Sequence, residues 1–285
     1  MITTALTTRC GIKYPIMQGG MQWVGTCDLA AAVSAAGGLG MLTALSHSSP
    51  EHLRAEIRRL RTLTDRPFGV NLTILPAIAP PDYMAFARVM VEEGVRIVET
   101  AGNKPAEYVR LFKDAQMVVI HKCTSVRHAV SAQRMGVDFV SIDGFECAGH
   151  PGEDDVGGVV LLVRAAQELS IPFVASGGFA DGRGLAGALA LGACGVNMGT
   201  RFMCSAEAPV HPRIKQCIVA ASESDTVPEA DPGSHVPHNA QHSTCLQKHS
   251  GGPGCRCRKE GRVFCRHQAS GGGRARTAGL HHWGP

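Results

Sequence analysis

The feature that most constrains the fold is a regular alternation of short apolar runs with amphipathic segments. The pattern recurs about every 25 to 30 residues, which is the size of one βα unit. Eight units can be followed along the first four-fifths of the chain. The apolar runs predict strands at 16–18, 39–43, 68–72, 96–99, 117–121, 139–142, 172–175 and 195–198. The intervening segments predict helices at 27–36, from 50 onward, and at 83–93, 106–112, 126–135, 159–169, 184–191 and 209–221.

Several of the predicted strands are apolar on both faces, as strands of a parallel sheet covered by helices must be. Eight such units predict the α/β class and a closed (β/α)₈ TIM barrel. A doubly wound open sheet is the alternative architecture. It would need a G-x-G-x-x-G fingerprint after the first strand, and Gly19-Gly20-Met21-Gln22 does not supply one.

The composition changes near Thr226. Residues 227–285 contain no Ile or Met. They contain eight Lys/Arg and three Asp/Glu, so the tail has a formal charge of +5, whereas the whole chain has a formal net charge of +4. Residues 1–226 are close to neutral. A segment this poor in large apolar side chains cannot bury enough surface to offset its ordering entropy. We therefore predict two regions, a barrel domain at 1–226 and a largely disordered Cys/His/Gly/Arg-rich tail at 227–285.

The sequence does not have the features of a secreted, membrane-spanning, nucleic-acid-binding or zinc-binding protein. The start of the chain lacks a signal-peptide pattern, and no stretch is long and apolar enough to span a bilayer. Seven of the eleven cysteines lie in 1–226 without paired spacing, which favours reduced thiols and a cytoplasmic location. Three Tyr and two Trp are too few for an aromatic nucleic-acid platform. In the tail, the spacing departs from that of structural zinc sites, so we predict no metal at Cys245, Cys255, Cys257, Cys265 or His267.

Barrel enzymes carry their chemistry in the loops after the strands, and loops seven and eight often bind phosphate. Ser176-Gly177-Gly178 follows the seventh predicted strand and Gly199-Thr200 follows the eighth. Glycines let backbone N–H groups approach a phosphate closely. We interpret these two loops together as a phosphate site, the alternative being ordinary tight turns.

Other residues near strand ends suit a flavin ring. The candidates are the amides of Gln22 and Asn71, in loop one and strand three, and the cation Lys122 after strand five, which can stabilise negative charge on a reduced flavin. His150, in the Gly-rich loop after strand six, is either a base or hydrogen-bond donor or a loop histidine without a catalytic role. The Pro-rich loop 75–81 after strand three is either a hinged lid or a rigid connector.

These segments together resemble the nitronate monooxygenase family, formerly called 2-nitropropane dioxygenases, from the N-terminus to about Thr226. The resemblance rests on the following motifs: Gly19-Gly20-Met21-Gln22, Asn71, His121-Lys122-Cys123, Gly144-Phe145-Glu146-Cys147-Ala148-Gly149-His150-Pro151-Gly152, Ala175-Ser176-Gly177-Gly178 and Asn197-Met198-Gly199-Thr200-Arg201-Phe202. It implies a TIM barrel with FMN bound by Gly20, Met21, Gln22, Asn71, Lys122, Ser176, Gly177, Gly178, Gly199 and Thr200.

The resemblance also implies a catalytic role for His150 near the flavin and a substrate gate containing Pro76 and Pro80. The function it implies is oxidation of alkyl nitronates with O₂. The sequence around Phe145-Glu146-Cys147 is similar to that of a subgroup that reduces quinones. NAD(P)H:quinone reduction, with NAD(P)H as co-substrate, therefore remains an alternative function.

Residues 227–285 do not resemble the helical continuation of the family, which packs over one side of the flavin mouth. A third alternative is therefore a truncated product that binds FMN weakly and is not catalytic. The partner expected for this chain is a small-molecule substrate, with no nucleic acid and no membrane.

Overall fold

The computed structural model describes residues 2–74, 80–103, 105–149, 154–225, 227–230 and 237–240. They divide into two compact units. The first unit comprises the described residues of 1–147 and 151–209 and contains the sheet. The second comprises those of 148–150 and of the chain from 210 onward.

The first unit is built around eight parallel strands in the order β1-β8-β7-β6-β5-β4-β3-β2. A parallel bridge between Met17 and Leu39 joins β1 to the residue that precedes β2, so the sheet returns on itself as a nearly closed barrel. This confirms the predicted fold class. The strands are β1 (Ile16–Gln18), β2 (Gly40–Thr43), β3 (Phe68–Ile74), β4 (Ile97–Gly102), β5 (Val118–Cys123), β6 (Phe139–Asp143), β7 (Phe173–Ser176) and β8 (Val196–Met198).

Helices alternate with these strands. In chain order they are α1 (Ala5–Cys10), α2 (Cys27–Ala35), α3 (Pro50–Leu63), α4 (Tyr83–Glu92), α5 (Ala106–Asp114), α6 (Val126–Arg134), α7 (Gly158–Glu168), α8 (Gly182–Ala190), α9 (Thr200–Met203) and α10 (Pro212–Ala220). Two short 3₁₀ helices lie at Ala44–Ser46 and Glu223–Asp225.

Several helices begin where the local sequence offers a cap. Ser49 accepts a hydrogen bond from the amide of His52, and Pro50 occupies the first position of α3, where its missing N–H costs nothing. Asp181 accepts from the amides of Arg183 and Gly184 at the start of α8. These caps fix where each strand-to-helix loop ends, and so how much chain remains at the barrel mouth.

The strands alternate between two cores, as the period of two in a β-strand requires. Outward residues such as Val98, Val119 and Val140 pack with the helices in the larger cluster. Inward residues form a smaller cluster that contains Met17, Leu39, Met41, Ile97, Ile120, Phe139 and Val174. Leu6 and Cys10 of α1 join the inner cluster, so α1 covers the amino-terminal end of the barrel. The carboxyl end is left for polar side chains.

The structure extends five of the predicted strands. β3, β4, β5, β6 and β7 run past the predicted ends, so Lys122, Asp143 and Ser176 are strand residues rather than loop residues. The predicted strands end too early because polar residues follow the apolar runs. A buried polar side chain interrupts an apolar run but leaves the hydrogen bonds between the strands intact. The helices α1 and α9 are not predicted, since each is shorter than two turns.

The second unit contains α10, which lacks a buried residue among the described positions of that helix. In the predicted tail, Val227–Ala230 and Pro237–Ala240 pair as two antiparallel strands, β9 and β10. The largely disordered character of the tail stays a prediction. The rest of the tail, including its five candidate zinc ligands, lies outside the described residues. The domain boundary at 226 stays a prediction.

Two further expectations can be compared with the described residues. None of the helices within the described ranges is long and apolar enough to cross a membrane. Within the described ranges, six cysteines carry thiols that form no disulfide, namely Cys10, Cys27, Cys123, Cys147, Cys194 and Cys204. Cys217 is disulfide-bonded, which contradicts the expectation of a reduced thiol there.

Candidate functional site

The carboxyl end of the barrel interior is polar. Strands β2 to β8 place inward polar side chains there, two of them from β6: Thr43, Asn71, Glu99, Lys122, Ser141, Asp143, Ser176 and Asn197. All except Lys122 are buried. Buried polar groups need hydrogen-bond partners or a ligand, so this layer is the natural place to look for function.

Glu99 is the centre of this layer and is fully buried. Its Oε2 accepts hydrogen bonds from the Gly20 amide at 3.1 Å and from Asn71 Nδ2 at 2.8 Å. Its Oε1 accepts from Asn197 Nδ2 at 3.0 Å. One carboxylate on β4 thereby ties together β3, β8 and the loop after β1.

Lys122 and Asp143 form a second polar pair. Lys122 Nζ lies 3.3 Å from Asp143 Oδ2, and the exposed fractions of the two side chains are 22% and 9%. Burial alone lowers the pKa of Lys122, but the carboxylates of Asp143 and Glu99 outweigh it and raise that pKa overall. Lys122 is therefore a fixed cation beside two carboxylates.

Asp143 has a buried oxygen, Oδ1, that accepts no hydrogen bond within the described part of the chain. A buried carboxylate oxygen without a donor is costly unless a ligand supplies one. Its position beside Lys122 places this unused acceptor within the polar layer.

The loop after β1 is held rigidly against β2. Thr43 Oγ1 accepts from the Met21 amide at 3.0 Å and donates to the Met21 carbonyl at 3.1 Å. Gly20 is packed so closely that a Cβ there would lie 2.2 Å from Asn71 Cγ. Trp23 follows with a left-handed φ of 64° and a half-exposed side chain. The loop thus presents its backbone at a fixed distance from Asn71 and Glu99.

The loops after β7 and β8 present backbone amides. Gly177 and Gly178 have φ values of 91° and 78°, which side chains other than glycine rarely adopt. A Cβ on Gly177 would lie 2.8 Å from the Cys147 nitrogen, so this turn also packs closely on the β6 loop. Among the hydrogen bonds of the described residues, none uses the amide N–H of Gly177, Gly178 or Gly199. These groups are available to an anionic ligand.

The β6 loop is anchored from the other side. Both carboxylate oxygens of Glu146 accept from the Gly158 amide, at 3.1 and 2.8 Å, at the start of α7. The neighbouring Cys147 is buried, and burial raises the pKa of its thiol to about 12. Cys147 is therefore a protonated packing residue and not a nucleophile at neutral pH.

The structure brings most of the predicted site residues to one end of the barrel. Nine of them lie at the ends of β1, β3, β5, β7 and β8 or in the following loops: Gly20, Met21, Asn71, Lys122, Ser176, Gly177, Gly178, Gly199 and Thr200. Gln22 is in the same loop as Gly20 but is exposed. Pro80 is exposed as well, whereas His150 and Pro76 lie outside the described residues.

Sequence reasoning missed Glu99, Asn197, Ser141 and Asp143 as site residues. A signal for Glu99 was present. Ile97 and Glu99 are two positions apart, so an inward Ile97 places Glu99 inward as well. The predicted strand ended at Glu99, which hid this consequence.

The fold and the polar barrel mouth define an α/β barrel with polar side chains at the carboxyl ends of its strands, where barrels of this class carry their sites. Comparison with known proteins gives the family. Residues 3–251 match the family model described as nitronate monooxygenase, a match that continues beyond Thr226. The chain belongs to the nitronate monooxygenase family, whose members are FMN oxidoreductases.

Similar curated proteins carry two kinds of name. A Rhodococcus jostii protein named (3aS,4S,5R,7aS)-5-hydroxy-7a-methyl-1-oxo-octahydro-1H-indene-4-carboxyl-CoA dehydrogenase is 39% identical over 225 residues, covering 79% of this chain and 62% of that protein. The chain thus spans about three-fifths of the length of that relative. A probable nitronate monooxygenase of Staphylococcus saprophyticus is 32% identical, with 79% and 75% covered.

Solved structures agree on the fold. FabK from Thermotoga maritima is 41% identical with a TM-score of 0.77, covering 84% of this chain and 75% of that one. Nitroalkane oxidase from Streptomyces ansochromogenes is 25% identical with a TM-score of 0.74, covering 86% and 81%.

Proposed function

We propose that this chain is an FMN-dependent oxidoreductase whose flavin lies across the carboxyl end of the barrel. The observation that carries the proposal is the joint presence there of a buried polar layer and two glycine loops with unused amide N–H groups. A barrel that only needed to fold would fill this end with apolar side chains, as it does at the opposite end around Leu6.

The residues present fit FMN. The amides of Gly177, Gly178 and Gly199, with Ser176 and Thr200 beside them, would hold the phosphate. Asn71, Lys122 and the backbone of Gly20 and Met21 would hold the ring. The unpaired Asp143 Oδ1 offers a further acceptor to a ligand N–H or O–H. FMN supplies electron transfer between the substrate and a second reactant when it is bound.

The chain's own residues would set the orientation and charge at the ring. Asn71 donates to Glu99 and accepts from Thr73 Oγ1 at 3.1 Å, so its amide has one defined orientation. Lys122 keeps its proton because of the adjacent carboxylates. A fixed cation stabilises negative charge that develops nearby during reduction. His150 is proposed as the base or hydrogen-bond donor toward substrate, and Pro76 and Pro80 as part of the substrate gate.

The first candidate reaction is oxidation of alkyl nitronates with O₂. Support comes from the description of the matching family and from the nitronate- and nitroalkane-named relatives. A second candidate is dehydrogenation of a coenzyme A thioester. It is favoured by the higher identity to the relative named as a carboxyl-CoA dehydrogenase, 39% against 32%. NAD(P)H:quinone reduction is the further alternative, and a cytoplasmic location is part of the proposal.

Anaerobic mixing distinguishes the candidates. The purified chain, loaded with FMN, is mixed separately with an alkyl nitronate, with NADH or NADPH, and with a saturated acyl-CoA, while flavin absorbance is followed. Bleaching by the nitronate is the expected result. Bleaching only by NAD(P)H followed by reoxidation with a quinone assigns the quinone reaction, and bleaching only by the acyl-CoA assigns the dehydrogenase. A chain that retains FMN but is bleached by none of them is not the proposed oxidoreductase.

A further inference from the structure

We propose that Glu99 is a positioning residue that sets the flavin-facing surface of the barrel from inside it. The inference rests on the proposed function, because it concerns the surface on which the ring would lie. It starts from the position of Glu99 on β4, fully buried and facing into the barrel.

Glu99 holds two of the predicted ring contacts at once. Its Oε2 accepts from both the Gly20 amide and Asn71 Nδ2, at 3.1 and 2.8 Å. Because this oxygen only accepts, it fixes Asn71 with Nδ2 inward, and Thr73 Oγ1 donates to the remaining Oδ1. The position of the loop after β1 and the orientation of the Asn71 amide thus depend on one atom.

The second oxygen reaches the other side of the barrel. Glu99 Oε1 accepts from Asn197 Nδ2 at 3.0 Å, and the same nitrogen donates to Ser141 Oγ at 3.2 Å. This orientation turns Asn197 Oδ1 toward Gly19, where a Cβ would lie only 2.7 Å away. β4 and β8 are separated by β5, β6 and β7 in the sheet, so Glu99 links strands that share no ladder.

The inference predicts a defined defect for Glu99→Gln, which keeps the volume of the side chain. Glutamine has one accepting oxygen and one donating NH₂, whereas three donors converge on Glu99. If the glutamine oxygen faces Gly20 and Asn71, the glutamine NH₂ faces Asn197. The Asn197 amide must then rotate so that its oxygen accepts from this NH₂. Its NH₂ is thereby turned toward Gly19, where the wild-type chain has an acceptor. Neither orientation preserves the surface of the wild-type barrel.

The experiment compares FMN with riboflavin, which has the ring but no phosphate. Glu99→Gln should weaken both ligands by the same factor, about tenfold, and should alter the visible spectrum of the flavin that remains bound. The matched control is Thr100→Val. Thr100 is the next residue on β4, equally buried, but faces outward and bonds His121 Nδ1 at 2.8 Å. This control should lower stability without changing flavin affinity or spectrum.

A second measurement uses the wild-type chain, so it stands even if Glu99→Gln does not fold. The side-chain amide protons of Asn71 and Asn197 should exchange slowly with solvent in NMR spectra and should shift when riboflavin is added. Equal flavin affinity and an identical spectrum in Glu99→Gln, or amide signals that exchange freely and do not respond to riboflavin, overturn the inference. A wild-type chain that binds no flavin contradicts the proposed function instead.

Discussion

Replacing Gly20 by alanine is a direct perturbation of the proposed ring site. A Cβ at this position would lie 2.2 Å from Asn71 Cγ, 2.4 Å from Nδ2 and 2.5 Å from Cβ. Carbon atoms in contact normally stay about 3.5–4.0 Å apart. Asn71 cannot move aside easily, since it is hydrogen-bonded to Glu99 and Thr73 and lies within β3. The loop must therefore move, which breaks the bond from the Gly20 amide to Glu99.

The size of the effect follows from one of two costs, which do not add because the loop movement that relieves the clash is the movement that breaks the hydrogen bond. Overpacking a buried site costs about 1–3 kcal/mol. A lost hydrogen bond to a charged group costs about 1.5–3 kcal/mol. Since about 1.4 kcal/mol corresponds to a tenfold change in binding, the dissociation constant for FMN should rise about 10- to 100-fold. The free energy of unfolding should fall by about 1–3 kcal/mol.

The assay is titration of the flavin-free chain with FMN, followed by quenching of flavin fluorescence, together with urea unfolding. Gly182→Ala is the matched control, because a Cβ at Gly182 meets no atom of the described residues within 4 Å and the position begins α8. The control should bind FMN like the wild-type chain and be as stable or slightly more stable. If Gly20→Ala binds FMN with wild-type affinity and unfolds at the same urea concentration, the reasoning about this loop is wrong.

Three further predictions address the phosphate loop, the catalytic candidate and the pH dependence of stability. Gly178→Asp should lower the affinity for FMN more than Gly178→Asn does, because only the aspartate repels phosphate. The two variants should bind riboflavin with equal affinity. Equal affinities of the two variants for FMN would exclude phosphate at this loop. His150→Ala should retain FMN while kcat/KM for the assigned substrate falls about 10²-fold, and an unchanged kcat/KM would remove His150 from catalysis. Burial lowers the pKa of His121 to about 4, so the folded chain binds fewer protons than the unfolded chain between pH 4 and 6.5. The contribution of His121 to the free energy of unfolding should be complete above about pH 6.5 and should fall by up to about 3 kcal/mol toward pH 4. His121→Gln should remove part of this pH dependence, and the remainder comes from His47, whose pKa is lowered in the same way. An unaltered pH profile in the variant would contradict this assignment.

The sequence predicts the barrel well because its signal is repeated. Eight apolar runs with intervening amphipathic helices leave few alternatives, and the structure confirms the predicted helix start at Pro50, directly after Ser49. The glycine loops after β7 and β8 were found because the fold indicates where to look. These predictions depend on local pattern and on the general geometry of barrels.

The polar layer could not be predicted in the same way. Glu99 contacts Asn197 across 98 positions of sequence, and no local pattern relates the two. The Lys122–Asp143 pair depends on the inward register of β5 and β6, which became clear only when both strands extended past their apolar runs. Such partners are determined by the closure of the barrel, so they follow from the fold and not from neighbouring residues.

The measurement that tests the central claim most directly is the flavin content of the purified chain. The protein is dialysed against excess FMN, separated from free flavin and examined by visible absorption, with the extracted cofactor identified after denaturation. We expect one FMN per chain. Riboflavin should displace this FMN only when the loop at Gly178 is altered. A folded chain that carries no flavin after this treatment would contradict the assignment of the barrel mouth as a flavin site.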